Sequence, residues 1–459
     1  MSIPTFGFET GLRGLRAAQA ALDTASHNIA NVNTPGYSRQ RAELTAGDPY
    51  TVPGLGHPAG AALQIGTGVL ARSISQARDV ALDSQVRGAY SDQQAALARQ
   101  GALSQVEEAV GEPGSTGINA ALTRLFNDFH DLASQPESRG LRNAVVAGAQ
   151  NVAGVFRRVA GRLEEGANTL DDQVASGVAE VNDAAQRVAR LNREIRKLVA
   201  QGDQPNDLRD QRGLLLDGLA KKANTTVFQQ ADGTVSVQIG GVALVRGGDA
   251  LPVASISDLT AGGDLSSGEL KGLVDAQADV AGVRAQLDGF ASAFRDQVNA
   301  LHQGGLDKNG AAGIALFTGA GGADLAVSAV VAADADRLAA SSAATPFAVG
   351  NGDNALALAD LATRKVSAGP VTNETLRDFW GGEATKIGVQ VKGLSDDLTS
   401  HDAFVSQFEN RREAVSGVSL DDEMADMVRF QRAYQAAARV ISMADELAGS
   451  IIEMVGGRG

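Results

Sequence analysis

Ala30-Asn31-Val32-Asn33-Thr34-Pro35-Gly36-Tyr37 is where the chain changes character. Ahead of it, Phe8, Leu12, Leu15, Ala18, Leu22, Ala25, Ile29 and Val32 recur every three or four residues, giving one apolar helical stripe close to a heptad seam. The motif stops that helix. Asn31 and Asn33 compete with helical hydrogen bonds through their side chains, Pro35 lacks an N–H and drives Thr34 out of the α region, and Gly36 accepts a positive φ. The far end of the chain carries a second stripe. Leu420, Met424, Met427, Phe430, Tyr434, Ala437, Ile441, Ala444, Ala448, Ile451 and Val455 take ten steps over 35 positions, a mean of 3.5. Pairing the two ends with each other is the simplest way to bury both seams.

Between these ends lie enough residues, in a chain of 459, for two or three domains. Glycine is abundant at 54 residues and aromatics are sparse at 4%, so the cores are built from Ala, Val and Leu and suit close-packed helices. A net charge of −14 argues against nucleic acid. The basic set Arg187, Arg190, Arg193, Arg196 and Lys197 reads as a solvated helix face. Cysteine is absent, which excludes disulfides, thiolate metal sites and cysteine catalysis. The N-terminus lacks a basic start with an apolar core, and no run approaches about 18 apolar residues, so neither a cleaved signal peptide nor a membrane span is expected. That combination fits a cytoplasmic protein or one exported without a cleaved signal.

Along the chain, 34–75 reads as a non-helical connector rich in Gly and Pro. Helices follow: one from about 79 to Gly111, one from Ile118 to about Leu132, and a proline-free segment from Ser138 to Gln201. The last of these spans roughly 90 Å if helical and implies an elongated molecule. Pro205 starts a shorter helix. The period then switches to two around Asp232-Gly233 and Gly240-Gly241, predicting antiparallel hairpins at about 224–246. Helix returns at 268–303, residues 311–352 carry no clear period, and 353–411 is again mostly helical with a break at Trp380-Gly381-Gly382. Ser416-Gly417 precedes the terminal helix, where Ser419 is an N-cap and Asp421, Asp422 and Glu423 suit the positive end of the dipole. The expected fold is mainly α with a small antiparallel β portion, elongated and nested. A terminal-helix domain (1–60 with 415–459), its two helices pairing as a coiled coil, and a long-helix bundle domain (61–414) are expected.

No catalytic constellation emerges, and no catalytic, cofactor or metal residues are assigned. His27, His57, His130, His302 and His401 are scattered without metal spacing, and His130 reads as an ordinary core or surface histidine. Gly54-Leu55-Gly56-His57-Pro58-Ala59-Gly60 has the wrong spacing for a dinucleotide fingerprint.

The stretch from Ser26 to Tyr37 resembles the N-terminal signature of bacterial flagellar rod, hook and hook-associated axial proteins. Ser416 to Met424 with Phe430-Gln431-Arg432-Ala433-Tyr434 resembles their C-terminal one. Asn206-Asp207-Leu208-Arg209-Asp210-Gln211-Arg212, Gly268-Glu269-Leu270-Lys271-Gly272-Leu273 and Asp353-Asn354-Ala355-Leu356 are similar to the hook-associated protein 1 branch. The resemblance implies a structural, non-enzymatic role as a ring of subunits joining hook to filament. Implied partners are further copies of the chain, the hook protein, a second hook-associated protein on the filament side, and a cytoplasmic export chaperone at the C-terminal helix. Neither nucleic acid nor membrane is among them, and the implied location is the extracellular flagellum. Family members often carry an outer β domain between the counterparts of Phe317 and Leu325; here only residues 318–324 intervene, so that domain is expected to be missing. A hook or rod subunit, and outside the family a coiled-coil adaptor, are the alternatives. The helices at each end either pack permanently on their own core or fold against neighbours on assembly.

Overall fold

A computed structural model describes residues 3–51, 64–261, 265–343 and 347–456; the Gly54–Gly60 stretch lies outside them. The helices are α1 (Ile3–Ala30), α2 (Val80–Val110), α3 (Ile118–Ser134), α4 (Arg139–Ala200), α5 (Asn206–Lys222), α6 (Ile256–Ala261), α7 (Glu269–Gln303), α8 (Ala329–Ala333), α9 (Asp353–Ala359), α10 (Leu376–Ser416) and α11 (Leu420–Gly456). Strands β1 (Gln40–Ala46), β2 (Tyr50–Thr51), β3 (Gln64–Ile65) and β4 (Val69–Gln76) follow α1, and β5 (Thr225–Gln229), β6 (Val235–Ile239), β7 (Val242–Arg246) and β8 (Asp249–Ala250) follow α5. The chain is mainly helical with small antiparallel sheets, as the periodicities predict.

Two compact units form: Met1–Ser91 with Glu180–Ser266 and Asp402–Gly459, and Asp92–Ala179 with Ser267–His401. In the first, β1 and β4 pair antiparallel with an irregularity between Glu43 and Leu44. β5 to β8 form a four-stranded meander. Val235, Val237 and Ile239 of β6 alternate inward, as period two requires. Asn192 on α4 holds the sheet: its Nδ2 donates to Val235 O (2.8 Å) and Gly247 O (2.6 Å), and its Oδ1 accepts from Val235 N (3.2 Å). A separate cluster joins Val86, Ala89 and Tyr90 of α2 to Val405 and Phe408 of α10. Burial, with a hydrogen bond to Glu409, pushes the Tyr90 hydroxyl pKa up to about 12.

The second unit is a helical bundle whose core the sparse aromatics fill. Phe290 stacks on Trp380 with ring centres 5.6 Å apart, and Phe156, Phe294, Phe317 and Phe379 complete the cluster. Packing of Trp380 explains one departure from expectation. α10 runs unbroken through Gly381-Gly382, because the fully buried Trp380 anchors it there and overrides the low helix propensity of two glycines. Two short elements, α6 and β8, had no periodic signal, and residues 366–374 form a two-stranded hairpin where helix was expected. Thr318 pairs with Ala326, and the Asp324 carboxylate accepts from Ala320 N and Gly321 N, so residues 318–324 close as a tight turn. His302 is a satisfied core residue: Nδ1 lies 2.5 Å from Ile314 O, Ala339 N donates to Nε2, and burial lowers its pKa. His130 is exposed.

Candidate assembly interface

α1 and α11 run antiparallel against each other. Gly7 faces Ala444, Gly11 faces Ile441, Gly14 faces Ala437, and Ser26 Oγ reaches Met427 Sδ at 3.9 Å. A Cβ on Gly11 would lie 2.8 Å from Ile441 Cγ1, so only glycine permits this approach. The buried face of α1 continues as Ala17, Ala18, Ala21, Ala25 and Asn28. The contact face is therefore built from small residues. The larger members of the expected stripe are offset around the helix: Leu12, Leu15, Leu22 and Ile29 are half-buried and Phe8 is exposed.

On α11 the same contrast holds. Met427, Phe430, Ala437 and Ile441 are half-buried and Ala444 is buried, while Leu420, Met424 and Tyr434 are exposed. The side chains of Ile451 and Val455 lie outside the described residues. Val440, Met443, Leu447 and Met454 form a further stripe at helical spacing, and Met443 and Leu447 are 56% and 61% exposed. This second stripe was not assigned from sequence, because it lies away from the 3.5-residue seam. Small contact residues stabilise a helix pair weakly, since Ala and Gly bury little apolar area.

A polar joint holds the N-terminal motif. α1 ends at Ala30 and residues 31–36 turn. Asn31 Nδ2 donates back to His27 O (3.0 Å) and Thr34 Oγ1 to Asn31 Oδ1 (3.1 Å). Asn33, Thr34, Pro35 and Gly36 are exposed; Gly36 has φ +76°, and a Cβ there would lie 2.4 Å from Leu214 Cγ. Next, Tyr37 OH donates to Asn28 Oδ1 (2.8 Å), which also accepts from Gln40 N (2.9 Å). Asn28 Nδ2 donates to Gln40 O (2.8 Å) and to Glu423 Oε2 of α11 (3.0 Å). The buried amide of Asn28 thus makes four hydrogen bonds and joins α1, the connector and α11.

Three further pairs complete the joint. Arg39 Nε lies 2.5 Å from Glu423 Oε1. Asp210 on α5 accepts from Ser38 N (3.1 Å) and Ser38 Oγ (2.8 Å), while Gln40 Nε2 donates to Asp207 Oδ1 (2.9 Å). Burial raises the Asp210 pKa despite those Ser38 bonds. Burial likewise raises that of Tyr37, helped by Asp207, Asp210 and Glu423. Asn28, Arg39 and Gln40 were not singled out from sequence, and Glu423 was read only as suiting the helix dipole. A polar residue inside an Ala-rich stripe, as Asn28 is, was the available signal.

The comparisons fit this layout. Residues 8–37 match the family described as Flagella basal body rod protein, and 413–454 the Flagellar basal body rod FlgEFG protein C-terminal family. Residues 103–317 match the Flagellar hook-associated protein FlgK helical domain. Flagellar hook-associated protein 1 of Bacillus subtilis is 30% identical over 99% of both chains. The chain belongs to the flagellar hook-associated protein 1 family. It is accordingly a structural component of the bacterial flagellum. A second family member, from Salmonella typhimurium, is 25% identical over 96% of this chain and 98% of its own. The fold is similar to that of the flagellar hook junction protein FlgK from Burkholderia pseudomallei, with a TM-score of 0.61 at 17% identity over 72% of this chain and all of that one. Among the described residues no helix is long and apolar enough to cross a membrane, and no cluster of three His, Asp or Glu could hold a metal.

Proposed function

We propose that this chain forms the junction between hook and filament and that α1 and α11 are its polymerising elements. One observation carries the reading: the α1–α11 pair is closed by Gly and Ala, while Phe8, Met424, Met443 and Leu447 stay exposed. Those side chains are available to neighbouring subunits, namely further copies in a ring, the hook protein on one side and a second hook-associated protein on the other. Before export, α11 offers the same surface to a cytoplasmic chaperone, and the chain leaves through the flagellar type III channel without a cleaved signal. The role is structural and involves no catalysis. The match to the helical domain at 103–317 favours the hook-associated reading over a rod or hook subunit.

The outer β domain of longer relatives is absent in this reading. Support comes from the closed turn at 318–324 and from the Bacillus subtilis match, which runs over 513 residues against the 459 here. The Asn31–Tyr37 turn leads the chain out of the polymerising layer, with Asn28, Arg39 and Asp210 fixing its exit.

Deleting 420–459 tests the proposal in vivo: hook-to-filament joining is expected to fail while the second unit still folds, and unaltered motility would reject it. Hydrogen exchange on the monomer tests the coupled folding. Strong protection at 10–30 and 425–450 without partners would show that the pair is permanently formed.

A further inference from the structure

The terminal helices leave unused a cavity of about 570 Å³ in the first unit, walled by the β4–α2 junction, α5 and the β5–β6 hairpin. Four arginines line it, Arg78, Arg87, Arg209 and Arg212, in a chain whose net charge is −14. Carboxylates answer only two of them. Arg78 Nε lies 2.5 Å from Asp83 Oδ2, and its Nη1 3.8 Å from Asp210 Oδ1. Arg87 Nε lies 2.8 Å from Asp217 Oδ1, a carboxylate it shares with Arg412 at 2.7 Å.

Among the described residues, Arg209 and Arg212 meet neutral oxygens alone. Arg209 Nη1 donates to Gln204 Oε1 (2.9 Å) and Asn206 Oδ1 (3.2 Å). Arg212 Nη1 donates to Asn192 Oδ1 (2.9 Å) and Gly233 O (2.8 Å). Burial, with Arg209, Arg78 and Arg87 adding repulsion, lowers the Arg212 pKa to about 10. Thr225 of β5 also lines the cavity, and its Oγ1 is buried with no hydrogen-bond partner. Gly213 belongs to the same design: a Cβ there would lie 2.8 Å from Arg78 Nη2, so its absence lets the guanidinium lie against α5.

A buried guanidinium without a counter-charge is costly, and its fork of N–H donors matches the oxygens of a phosphate group. We propose that this cavity binds a phosphate-class oxyanion, held by Arg209 and Arg212 from α5 and by the Thr225 hydroxyl from β5. The anion supplies the charge that Asp83, Asp210 and Asp217 do not, and it ties the β5–β6 hairpin to α5. The volume is in the range of small-molecule pockets, so a phosphomonoester fits as well as the free ion.

Calorimetric titration of the full chain with inorganic phosphate and with glycerol phosphate, at constant ionic strength set with chloride, tests this. Saturable binding of either probe supports the proposal if Arg209→Gln weakens it about ten- to a hundredfold, the loss of one charge-assisted hydrogen bond. Arg209→Lys, which keeps the charge and loses the fork, falls between, and Thr225→Val weakens binding several-fold. Equal affinity for both probes identifies the free ion as the ligand, and tighter binding of the ester identifies a phosphomonoester. No saturable heat with either, or unchanged affinity in the Arg209→Lys and Thr225→Val variants, overturns the site. Those two variants also serve if Arg209→Gln does not fold. The readout is independent of flagellar assembly.

Discussion

Asn28 uses both donors and both acceptors of its amide inside the joint of α1, the connector and α11. Asn28→Ala leaves Tyr37, Gln40 and Glu423 with buried groups unpaired, and is expected to destabilise the joint by about 2–4 kcal/mol in urea unfolding. Asp210 gives a pH test. Its folded pKa is raised by burial, so protonation favours the folded state. The contribution is full below the unfolded pKa of about 3.9 and is lost as pH rises through the raised value. Stability of the parent relative to Asp210→Asn should therefore fall as pH rises from the acid side toward neutrality. A flat difference between the two would show that burial does not perturb this carboxyl. The motif at 31–37 was legible because Pro35 and Gly36 act locally. The joint was not, since Asn28 meets Glu423 across 395 positions and Ser38 meets Asp210 across 172 only through the fold.

At the scale of elements, both terminal helices, their period and the α11 residues Ala437, Ile441 and Ala444 that meet α1 were readable, yet the glycine face of α1 was not. Periodicity weights large apolar residues, whereas close approach selects small ones, so Gly11 and Gly14 face α11 while Phe8 stays exposed. Two variants separate these faces. Gly11→Val puts atoms where Ile441 sits and should open the helix pair, seen as loss of α1 protection in hydrogen exchange on the assembled junction. Met443→Lys with Leu447→Lys changes residues already in water, so monomer stability should move by less than about 0.5 kcal/mol per site while polymerisation fails. Normal filament joining in that double variant would remove the exposed stripe from the interface. In α10, Gly382 faces open space, and Gly382→Ala should stabilise the helix by about 0.5–1 kcal/mol in thermal unfolding.

At the scale of the whole chain, each compact unit is assembled from separated segments, and α2, α4 and α10 each contribute residues to both. The single tryptophan offers a probe of one of them. Trp380 is buried against Phe290 in the second unit, so deleting 420–459 should leave its emission maximum unchanged. A red shift would mean that the second unit needs the terminal helix to fold.

The sequence by itself determined most elements: the stop of α1 at its motif, the long helices through the middle, where helical spacing gives way to period two, and the family. These rest on local backbone chemistry and on residue spacing, which one dimension carries. Only the tertiary structure decided which side of α1 meets α11, why α10 ignores its two glycines, and that four arginines converge on one cavity. Each of those depends on residues far apart in the chain competing for the same space. The turn at Asn31–Tyr37 belongs to both accounts, with its stop written locally and its partners supplied by the fold.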